Sequence, residues 1–214
     1  PPVSNANYAW ILHMLSKLDV TNGIAGFLLA NGALNADGVE GDIRRELIEN
    51  DKVEAIIVLP REMFYSTDIS VTLWILNNNK KARSLNGRQL RNRQDEVLFV
   101  DLRRWNENIY EKKYIQFSDE QIDAIKKIYT DWQTNENFEA VPELCCSATK
   151  AEIAAQRYSL APSKYIEFID HDLEIDYASE MARIQGEMRE VLKAEKKSQA
   201  MLEEAFRGIG YGID

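Results

Sequence analysis

The short distance between two apolar runs constrains the fold of this chain more than any other feature of its sequence. Residues 53–59 form one largely apolar run that ends before Pro60, and a second run occupies residues 71–76. Segment 61–70 is tight for a helical crossover, because parallel neighbours need a connection of about a dozen residues or more. The sequence therefore predicts that these two runs are neighbouring antiparallel strands.

The elements before this hairpin indicate an α/β fold. The run Ile24–Ala30 is apolar throughout, which is typical of a strand buried on both faces. Helical periodicity over residues 7–18 precedes this run, and residues 42–50 predict a second helix after it. The order helix, strand, helix, strand, strand matches the second half of a Rossmann-like sheet that ends in a hairpin. The Gly-rich turn that follows the first strand of a doubly wound fold has no counterpart here.

Further along the chain, two capping boxes and one apolar run predict three more elements. Ser118 with Gln121, and Thr149 with Glu152, have the spacing at which a hydroxyl and a longer side chain cap a helix reciprocally. Residues 97–101 predict a short strand before these helices. The fold class expected from the sequence is therefore a partial Rossmann-like sheet followed by a helical region.

The last long element is predicted to be a helix over residues 177–206. At 1.5 Å per residue it would be about 45 Å long, which suits a helix that packs on another protein. Gly208 and Gly210 follow it and predict its end. These features divide the chain into residues 1–170 and a helical assembly segment, 171–214. The apolar positions of the predicted partner-binding seam are Met181, Ile184, Met188, Val191 and Leu202.

The charge of the chain argues against a free-standing nucleic-acid binder. Lys and Arg total 26 and Asp and Glu total 35, which gives a net charge of −9, whereas such binders usually carry a basic face. One segment, 77–94, nevertheless holds six cations and no acid. These six predict a contact with DNA phosphates, and a solvated loop is the alternative: Lys80, Lys81, Arg83, Arg88, Arg91 and Arg93.

Several other classes of protein are disfavoured by the sequence. The adjacent thiols of Cys145 and Cys146 cannot join distant segments, so a reducing cytoplasm is expected. No apolar run approaches the roughly 20 residues that cross a bilayer. Side chains that bind metals do not occur at ligand spacing, so no metal site is predicted.

A ligand pocket is predicted where the first strand ends. Asn31 and Gly32 directly follow Ile24–Ala30, and open α/β sheets bind ligands at the carboxyl ends of their strands. Gly32 would relieve a tight turn and Asn31 would line a substrate pocket. A plain turn is the alternative interpretation.

Seven short segments occur in order along nearly the whole chain: NANYAWILH at 5–13, AGFLLANG at 25–32, EGDIR at 40–44, LPREMFYSTDI at 59–69, CSAT at 146–149, LAPSKY at 160–165 and GIGYG at 208–212. Each segment alone is a weak signal, but their common order is a strong one. Together they resemble the modification (methyltransferase) subunit of type I restriction–modification systems.

The resemblance implies a function and a set of partners. Members of this family transfer a methyl group from S-adenosylmethionine to N6 of adenine in DNA. They work with a specificity subunit, which selects the DNA site, and with a restriction subunit, which cleaves DNA. The resemblance also places Phe64, or its neighbour Tyr65, where an aromatic ring stacks on the extruded adenine. The alternative is that Phe64 plugs the underside of the hairpin.

The sequence departs from the family pattern at both catalytic motifs. The Gly-rich cofactor turn is absent. The resemblance matches Pro1 and Pro2 to a separate Pro-Pro that family members carry just ahead of the Asn-Ala-Asn segment; the alternative is a remnant of the motif Asn-Pro-Pro-aromatic, with Val3 in place of the aromatic residue. With either match the catalytic Asn is absent from this sequence. We therefore expect the C-terminal half of such a methyltransferase, which is inactive alone and contains no catalytic residue of its own. The alternatives are a non-catalytic assembly module that docks on a specificity subunit and an unrelated Rossmann-type enzyme.

Overall fold

The fold is described from a computed structural model of the chain. The structure describes residues 6–106, 109–110, 114–135, 137–169, 176–208 and 210–211, so Pro1, Pro2 and Val3 lie outside the described residues. The chain forms two compact units, Pro1–Ile169 and Asp170–Asp214. Each unit is described by itself below.

The described part of the first unit contains the strands β1 (Ile24–Ala30), β2 (Val53–Val58), β3 (Val71–Asn77), β4 (Arg83–Leu85), β5 (Arg88–Leu90), β6 (Glu96–Asp101), β7 (Ile109–Tyr110), β8 (Tyr114–Ile115) and β9 (Cys145–Thr149). Five of them form a mixed sheet in the order β1-β3-β2-β6-β9. Strands β4 and β5 form a separate hairpin, as do β7 and β8.

The pairing of the strands confirms the predicted hairpin. Strand β3 is antiparallel to β2, and it is also antiparallel to β1 on its other side. Strand β6 extends the sheet parallel to β2, and β9 closes it antiparallel to β6. Strand β3 therefore lies between β1 and β2, which run parallel to each other.

Strand β1 corrects one prediction, because it is not buried on both faces. Its residues alternate between exposed and half-buried positions, and Ile24 and Leu28 are 44% and 45% exposed. Among the described residues β1 pairs only with β3, so it forms an edge of the sheet and leaves half of its backbone groups unpaired. An apolar run on an open edge is a surface that another strand can extend.

The helices of the first unit cover both faces of the sheet. They are α1 (Asn7–Lys17), α2 (Val39–Glu49), α3 (Asp119–Thr134) and α4 (Lys150–Ala155). Buried residues of α1, α2 and α4 belong to one core, which includes Trp74 and Phe99. Helix α3 covers the other face, where Trp132 packs with Leu98 and Val100. Both predicted capping boxes are present, at the starts of α3 and α4.

The second unit consists mainly of one long helix, α5 (Tyr177–Gly208). None of its described residues is buried, so its apolar stripe is open along the helix. The helix extends through Gly208, which was predicted to follow it, and it ends before Gly210: Gly210 has a φ of +85° and the Tyr211 N–H donates to the Phe206 carbonyl over 3.0 Å. The described residues contain no helix long and apolar enough to cross a membrane.

Candidate substrate edge of the sheet

The carboxyl ends of three parallel strands meet at one edge of the sheet. Ala30 of β1 pairs with Val71, the first residue of β3, while Val58 of β2 lies opposite Asp101 at the end of β6. The connections 31–38 and 59–70 both leave from this end of the sheet. We call this end, where the carboxyl ends of the parallel strands lie, the substrate edge; it differs from the open lateral edge that β1 forms. It holds two of the sites predicted from the sequence.

The first of these sites is an aromatic turn, residues 64–67. Phe64 and Thr67 form an isolated β-bridge, and the Thr67 N–H donates to the Phe64 carbonyl over 3.4 Å. Tyr65 is therefore at the tip of the turn, where it is 78% exposed, and Phe64 is 38% exposed. The structure thus presents both rings at the surface of the loop that was predicted to carry a stacking aromatic.

Two contacts outside the turn support the loop that carries it. Arg61 and Asp68 form a salt bridge of 2.6 Å across the base of the turn. The Ile115 N–H donates to the Glu62 carbonyl over 2.7 Å, so β8 lies against the same loop. These contacts limit the conformations available to the aromatic turn.

Asn31 lies at the same edge, but its side chain is used within the protein. Its Nδ2 donates to Ser70 Oγ over 3.0 Å, and its Oδ1 accepts from Thr72 Oγ1 over 2.6 Å. The amide therefore joins the end of β1 to the start of β3, and Asn31 is not placed with a free amide for a ligand. A β-carbon on Gly32 would contact nothing within 4 Å, and its φ is not in the left-handed region. The prediction that Gly32 relieves a tight turn is wrong.

Connection 31–38 is held by a cluster that the sequence interpretation missed. The Tyr8 hydroxyl donates to the Ala33 carbonyl over 2.6 Å, and the buried Arg44 Nη1 donates to the Ala36 carbonyl over 2.7 Å. Burial raises the pKa of Tyr8, which keeps its hydroxyl protonated as a donor. Tyr8 and Arg44 both belong to the resemblance segments, and that shared membership was the available signal.

The six cations of segment 77–94 lie at the opposite end of the sheet from the substrate edge. Strand β3 runs from Val71 at the substrate edge to Asn77 at the far end, and a strand of this length spans about 20 Å. Three of the six cations are buried, namely Lys80, Arg91 and Arg93. We call this region the ion-pair end.

The buried cations are paired with acids that precede or follow them in the sequence. Lys80 Nζ lies 2.5 Å from Asp51 Oδ1, and Arg91 Nη2 lies 2.8 Å from Glu96 Oε2. Burial lowers the pKa of Lys80, although the charge of Asp51 opposes this shift. Lys80 and Arg91 are thus structural, and their predicted contact with phosphate is wrong.

Arg93 is the most enclosed of the six cations. Its Nε is 3.3 Å from Glu54 Oε1, and both side chains are fully buried. Glu54 also accepts hydrogen bonds from Asn77 and Gln133, so its charge is shared among several donors. The Arg93 guanidinium lies 5.8 Å from the centroid of the Trp132 ring. The prediction that Arg93 contacts DNA is therefore wrong as well.

The other three cations remain at the surface near the β4–β5 hairpin. Lys81 and Arg88 are exposed and Arg83 is half-buried. Arg88 donates to Thr130 Oγ1 over 3.4 Å, and Arg83 donates to Asn22. A phosphate contact of these three stays a prediction, and it would be separate from the substrate edge.

The remaining groups do not form a second chemical site among the described residues. The thiols of Cys145 and Cys146 belong to the two opposite cores, and burial raises the pKa of Cys146 to about 12. Both cysteines are therefore poor nucleophiles. No group of three or more potential metal ligands occurs in the described part of the chain. A cavity of about 590 Å³ between α1 and α2 is lined largely by aliphatic and charged side chains, including Leu15, Ile43 and Arg45.

Comparison with known proteins gives a consistent family. The family model described as N-6 DNA methylase matches residues 1–173. The type I restriction enzyme MjaIX methylase subunit of Methanocaldococcus jannaschii is 32% identical over 213 residues, which cover 99% of this chain and 36% of the relative. The HindI methylase subunit of Haemophilus influenzae is 32% identical over 215 residues, which cover 99% of this chain and 45% of the relative.

Solved structures agree with this comparison. The type I restriction–modification methyltransferase subunit from Streptococcus thermophilus has 27% identity and a TM-score of 0.65, over 78% of this chain and 31% of that chain. The M protein of the type I enzyme EcoKI shares the fold, with 20% identity and a TM-score of 0.57 over 96% of this chain and 48% of that chain. The chain thus spans less than half the length of these relatives.

The family match, the relatives and the arrangement of the sheet lead to the same assignment, which the seven ordered segments had predicted. The aromatic turn and Asn31 lie within the matched residues, whereas α5 lies beyond them. This chain belongs to the N-6 DNA methylase family.

Proposed function

We propose that this chain is the C-terminal portion of a type I DNA methyltransferase subunit. The complete protein transfers a methyl group from S-adenosylmethionine to N6 of adenine in DNA, in the cytoplasm where that DNA is found. Family membership supports this proposal, as does the similarity to methylase subunits that are more than twice as long. Within the proposed protein, this chain supplies part of the sheet and the aromatic turn.

The observation that carries the proposal is the exposure of two aromatic rings at the substrate edge. An enzyme that modifies a base inside duplex DNA must extrude it, and the extruded base needs a new stacking surface. Phe64 and Tyr65 provide such a surface beside the carboxyl ends of β1 and β2. Their role is to hold the adenine ring while its amino group reacts.

The described residues do not fit a complete pocket for S-adenosylmethionine. Polar side chains at the carboxyl ends of strands commonly bind a cofactor's ribose, but both candidates at this edge are already bonded. The amide of Asn31 bonds Ser70 and Thr72, and Asp101 bonds Arg103 over 2.5 Å. We therefore assign the cofactor pocket to another part of the complete protein and derive no step through the cofactor here.

The open edge of β1 supports the presence of a larger sheet in the complete protein. Helices α1 and α2 lie on the same face, and the path from β1 through α2 to β2 moves away from the open edge. Helical crossovers between parallel strands have the same hand in about 98% of cases. A parallel strand joined to β1 through α1 would therefore lie at the open edge.

Methyl transfer tests the proposal directly. The full-length protein with its specificity subunit should transfer labelled methyl groups to adenine in a duplex that carries its target site. The 214-residue chain alone should show only background incorporation, because it lacks the catalytic Asn and the cofactor turn. Incorporation by the isolated chain would contradict the assignment of the catalytic Asn and the cofactor pocket to another part of the complete protein. A lack of transfer by the full complex would contradict the proposed function.

The second part of the proposal concerns α5 as the segment that binds the specificity subunit. Met181, Ile184 and Met188 are 43–58% exposed on the described helix, and such a stripe is an association surface. Methionine adapts to irregular partner surfaces because its side chain is unbranched and polarisable. Val191 and Leu202 continue the same seam and are also exposed. DNA and the restriction subunit are the further partners of the proposed assembly.

Two charged substitutions on this seam test the assignment. The double variant Ile184→Glu, Met188→Glu should no longer co-purify with the specificity subunit, because a glutamate in an apolar interface loses its water. A matched control, Arg189→Glu with Lys193→Glu, changes positions off the seam and should co-purify normally. Co-purification of the seam variant at normal stoichiometry would show that α5 is not the binding segment.

The alternative function, a non-catalytic assembly module, makes a different prediction for the complete protein. An assembly module would bind the specificity subunit through α5 without binding S-adenosylmethionine. Calorimetric titration of the full-length protein with that cofactor separates the two functions. Binding supports the methyltransferase, and its absence together with normal subunit assembly supports the module.

A further inference from the structure

Three hydrogen bonds in series join the end of β1 to both ends of connection 59–70, the aromatic loop, which carries the aromatic turn. Thr72 Oγ1 donates to Asn31 Oδ1, Asn31 Nδ2 donates to Ser70 Oγ, and Ser70 Oγ donates to the Leu59 carbonyl. The three distances are 2.6, 3.0 and 2.6 Å. We call these four residues the loop clamp.

Chemistry fixes the direction of every bond in the clamp. The Leu59 carbonyl can only accept a hydrogen bond, so the Ser70 hydroxyl must donate to it. The Ser70 oxygen then accepts from the Asn31 amide, which leaves Asn31 Oδ1 to accept from Thr72. A side chain with a donor on one arm and an acceptor on the other is therefore required at position 31, and asparagine supplies it.

The clamp closes the base of the loop that carries the aromatic turn. Leu59 and Ser70 are the residues at which this loop leaves β2 and reaches β3, and the Leu59 N–H also donates to the Val71 carbonyl over 2.9 Å. Asn31 is the first residue after β1. Besides that backbone bond and the contacts of Arg61 and Glu62, the loop is thus tied to the end of β1 by one amide that lies in a different connection.

We propose that Asn31 is a positioning residue, which sets the place of Phe64 and Tyr65 through Ser70 and does not touch the substrate itself. The inference rests on the proposed methyltransferase function. It replaces the predicted role of Asn31 as a pocket-lining residue. Loss of the clamp should move the rings away from the extruded adenine without unfolding the sheet.

Substitution Asn31→Asp tests the clamp with little change in shape. An aspartate still accepts from Thr72 but has no proton for Ser70, so the Ser70 hydroxyl turns towards the carboxylate and leaves the Leu59 carbonyl. Hydrogen exchange of the amides in segment 60–69 of the full-length protein should then accelerate, by about tenfold for the loss of one hydrogen bond. In the methylation assay kcat should fall by about 10–100-fold, since small misplacements of a reacting group have effects of this size. The KM for DNA should stay unchanged.

A matched control lies at the ion-pair end. Asn79 is half-buried like Asn31, and its amide also donates on one arm, to Asn22, and accepts on the other, from the Lys81 N–H. Asn79→Asp should leave both the exchange of segment 60–69 and kcat unchanged. Ser70→Ala should lower kcat and speed the exchange as Asn31→Asp does. Ser70→Thr, which keeps the hydroxyl, should have the kcat of the wild type.

The outcomes separate this inference from the proposed function. The positioning role is supported if Asn31→Asp and Ser70→Ala both lower kcat and speed the exchange, while Ser70→Thr keeps the wild-type kcat. If Asn31→Asp does not fold, Ser70→Ala carries the test. An unchanged kcat in both Asn31→Asp and Ser70→Ala overturns the role while the methyltransferase function stands. A fall in kcat without faster exchange also overturns it. A wild-type complex that transfers no methyl group overturns the proposed function and this inference together, whereas the exchange data still report whether the clamp exists.

Discussion

The two ends of the sheet differ in which side chains they bury: one end buries charged side chains and the other exposes aromatic ones. At the ion-pair end, charged side chains are buried and bonded, as in the fully enclosed pair of Arg93 and Glu54. At the substrate edge, the aromatic side chains of Phe64 and Tyr65 are at the surface, on a loop that the clamp holds. Charged side chains are usually exposed and aromatic ones usually buried, so both groups show the opposite of the usual burial.

This reversal separates structural groups from functional ones. A buried charge is tolerated only when it is paired, so the three buried cations of the ion-pair end, Lys80, Arg91 and Arg93, hold the sheet together and cannot reach a ligand. An exposed aromatic ring contributes little to the stability of its own domain, so its place on a braced loop favours a role in binding. The following predictions test this contrast, from the largest expected effect to the smallest.

Arg93→Ala should have the largest effect, and the effect should be on stability. The substitution leaves Glu54 buried without its cation, which typically costs about 3–5 kcal/mol. Chemical denaturation of the full-length protein measures this loss. Arg88→Ala, which removes an exposed cation from the same segment, should change the stability by less than about 0.5 kcal/mol. Equal stability of the two variants would contradict the structural role of the ion-pair end.

Phe64→Ala and Tyr65→Ala should have a smaller effect, and the effect should be on activity. Loss of one stacked ring costs about 1–3 kcal/mol per base, so methylation by the full complex should slow by about 5–150-fold. The melting temperature should change little, as it should for Phe168→Ala, an exposed aromatic elsewhere that should keep full activity. A large drop in melting temperature for Phe64→Ala would instead support its packing under the hairpin.

Acidification should weaken the ion-pair end through Glu96. Burial alone would raise the pKa of Glu96, but hydrogen bonds from Arg91 and Ser147 and the Arg91 charge lower it overall. Its ionised form therefore adds stability above the ordinary carboxyl pKa of about 4.3, and this contribution is lost as the pH falls through the lowered value. Glu96→Gln should show a smaller loss of stability between about pH 5 and 3, as thermal melts at each pH would reveal. Identical pH profiles would remove Glu96 from this explanation.

The three surface cations should have the smallest effect. Removing Lys81, Arg83 and Arg88 together should leave folding nearly unchanged: Lys81 and Arg88 are exposed, the half-buried Arg83 loses its bond to Asn22, and surface substitutions usually alter stability by less than about 0.5 kcal/mol each. If these cations contact phosphates, the slope of log affinity for duplex DNA against log salt should decrease by about 0.9 per contact. An unchanged slope would show that the ion-pair end contributes no DNA contact.

Much of the fold followed from local sequence patterns. The antiparallel pairing of β2 and β3 was predictable because the connection is too short for a helix. The starts of α3 and α4 were predictable because a capping box is a contact within four residues. The same reasoning failed for β1, whose apolar run indicates burial but not which neighbours are present to provide it.

The candidate site was only partly predictable, because its bonds join residues far apart in sequence. The position of Phe64 and Tyr65 on an exposed loop was expected, whereas the clamp depends on Asn31 meeting Ser70, 39 residues away. The burial of cations in segment 77–94 could not be predicted for the same reason. Their partners Asp51 and Glu54 lie outside the segment, so a run without acids gave no sign that its cations were neutralised.

The sequence by itself determined the α/β order, the hairpin, the starts of α3 and α4 and the family, since each depends on spacing over short windows or on the order of motifs. Only the tertiary structure decided which cations are buried, that β1 is an open edge, and that Asn31 binds the aromatic loop rather than a ligand. The physical reason is that burial and hydrogen bonding depend on which strands become neighbours. That choice brings residues such as Glu54 and Arg93 together from separate parts of the chain.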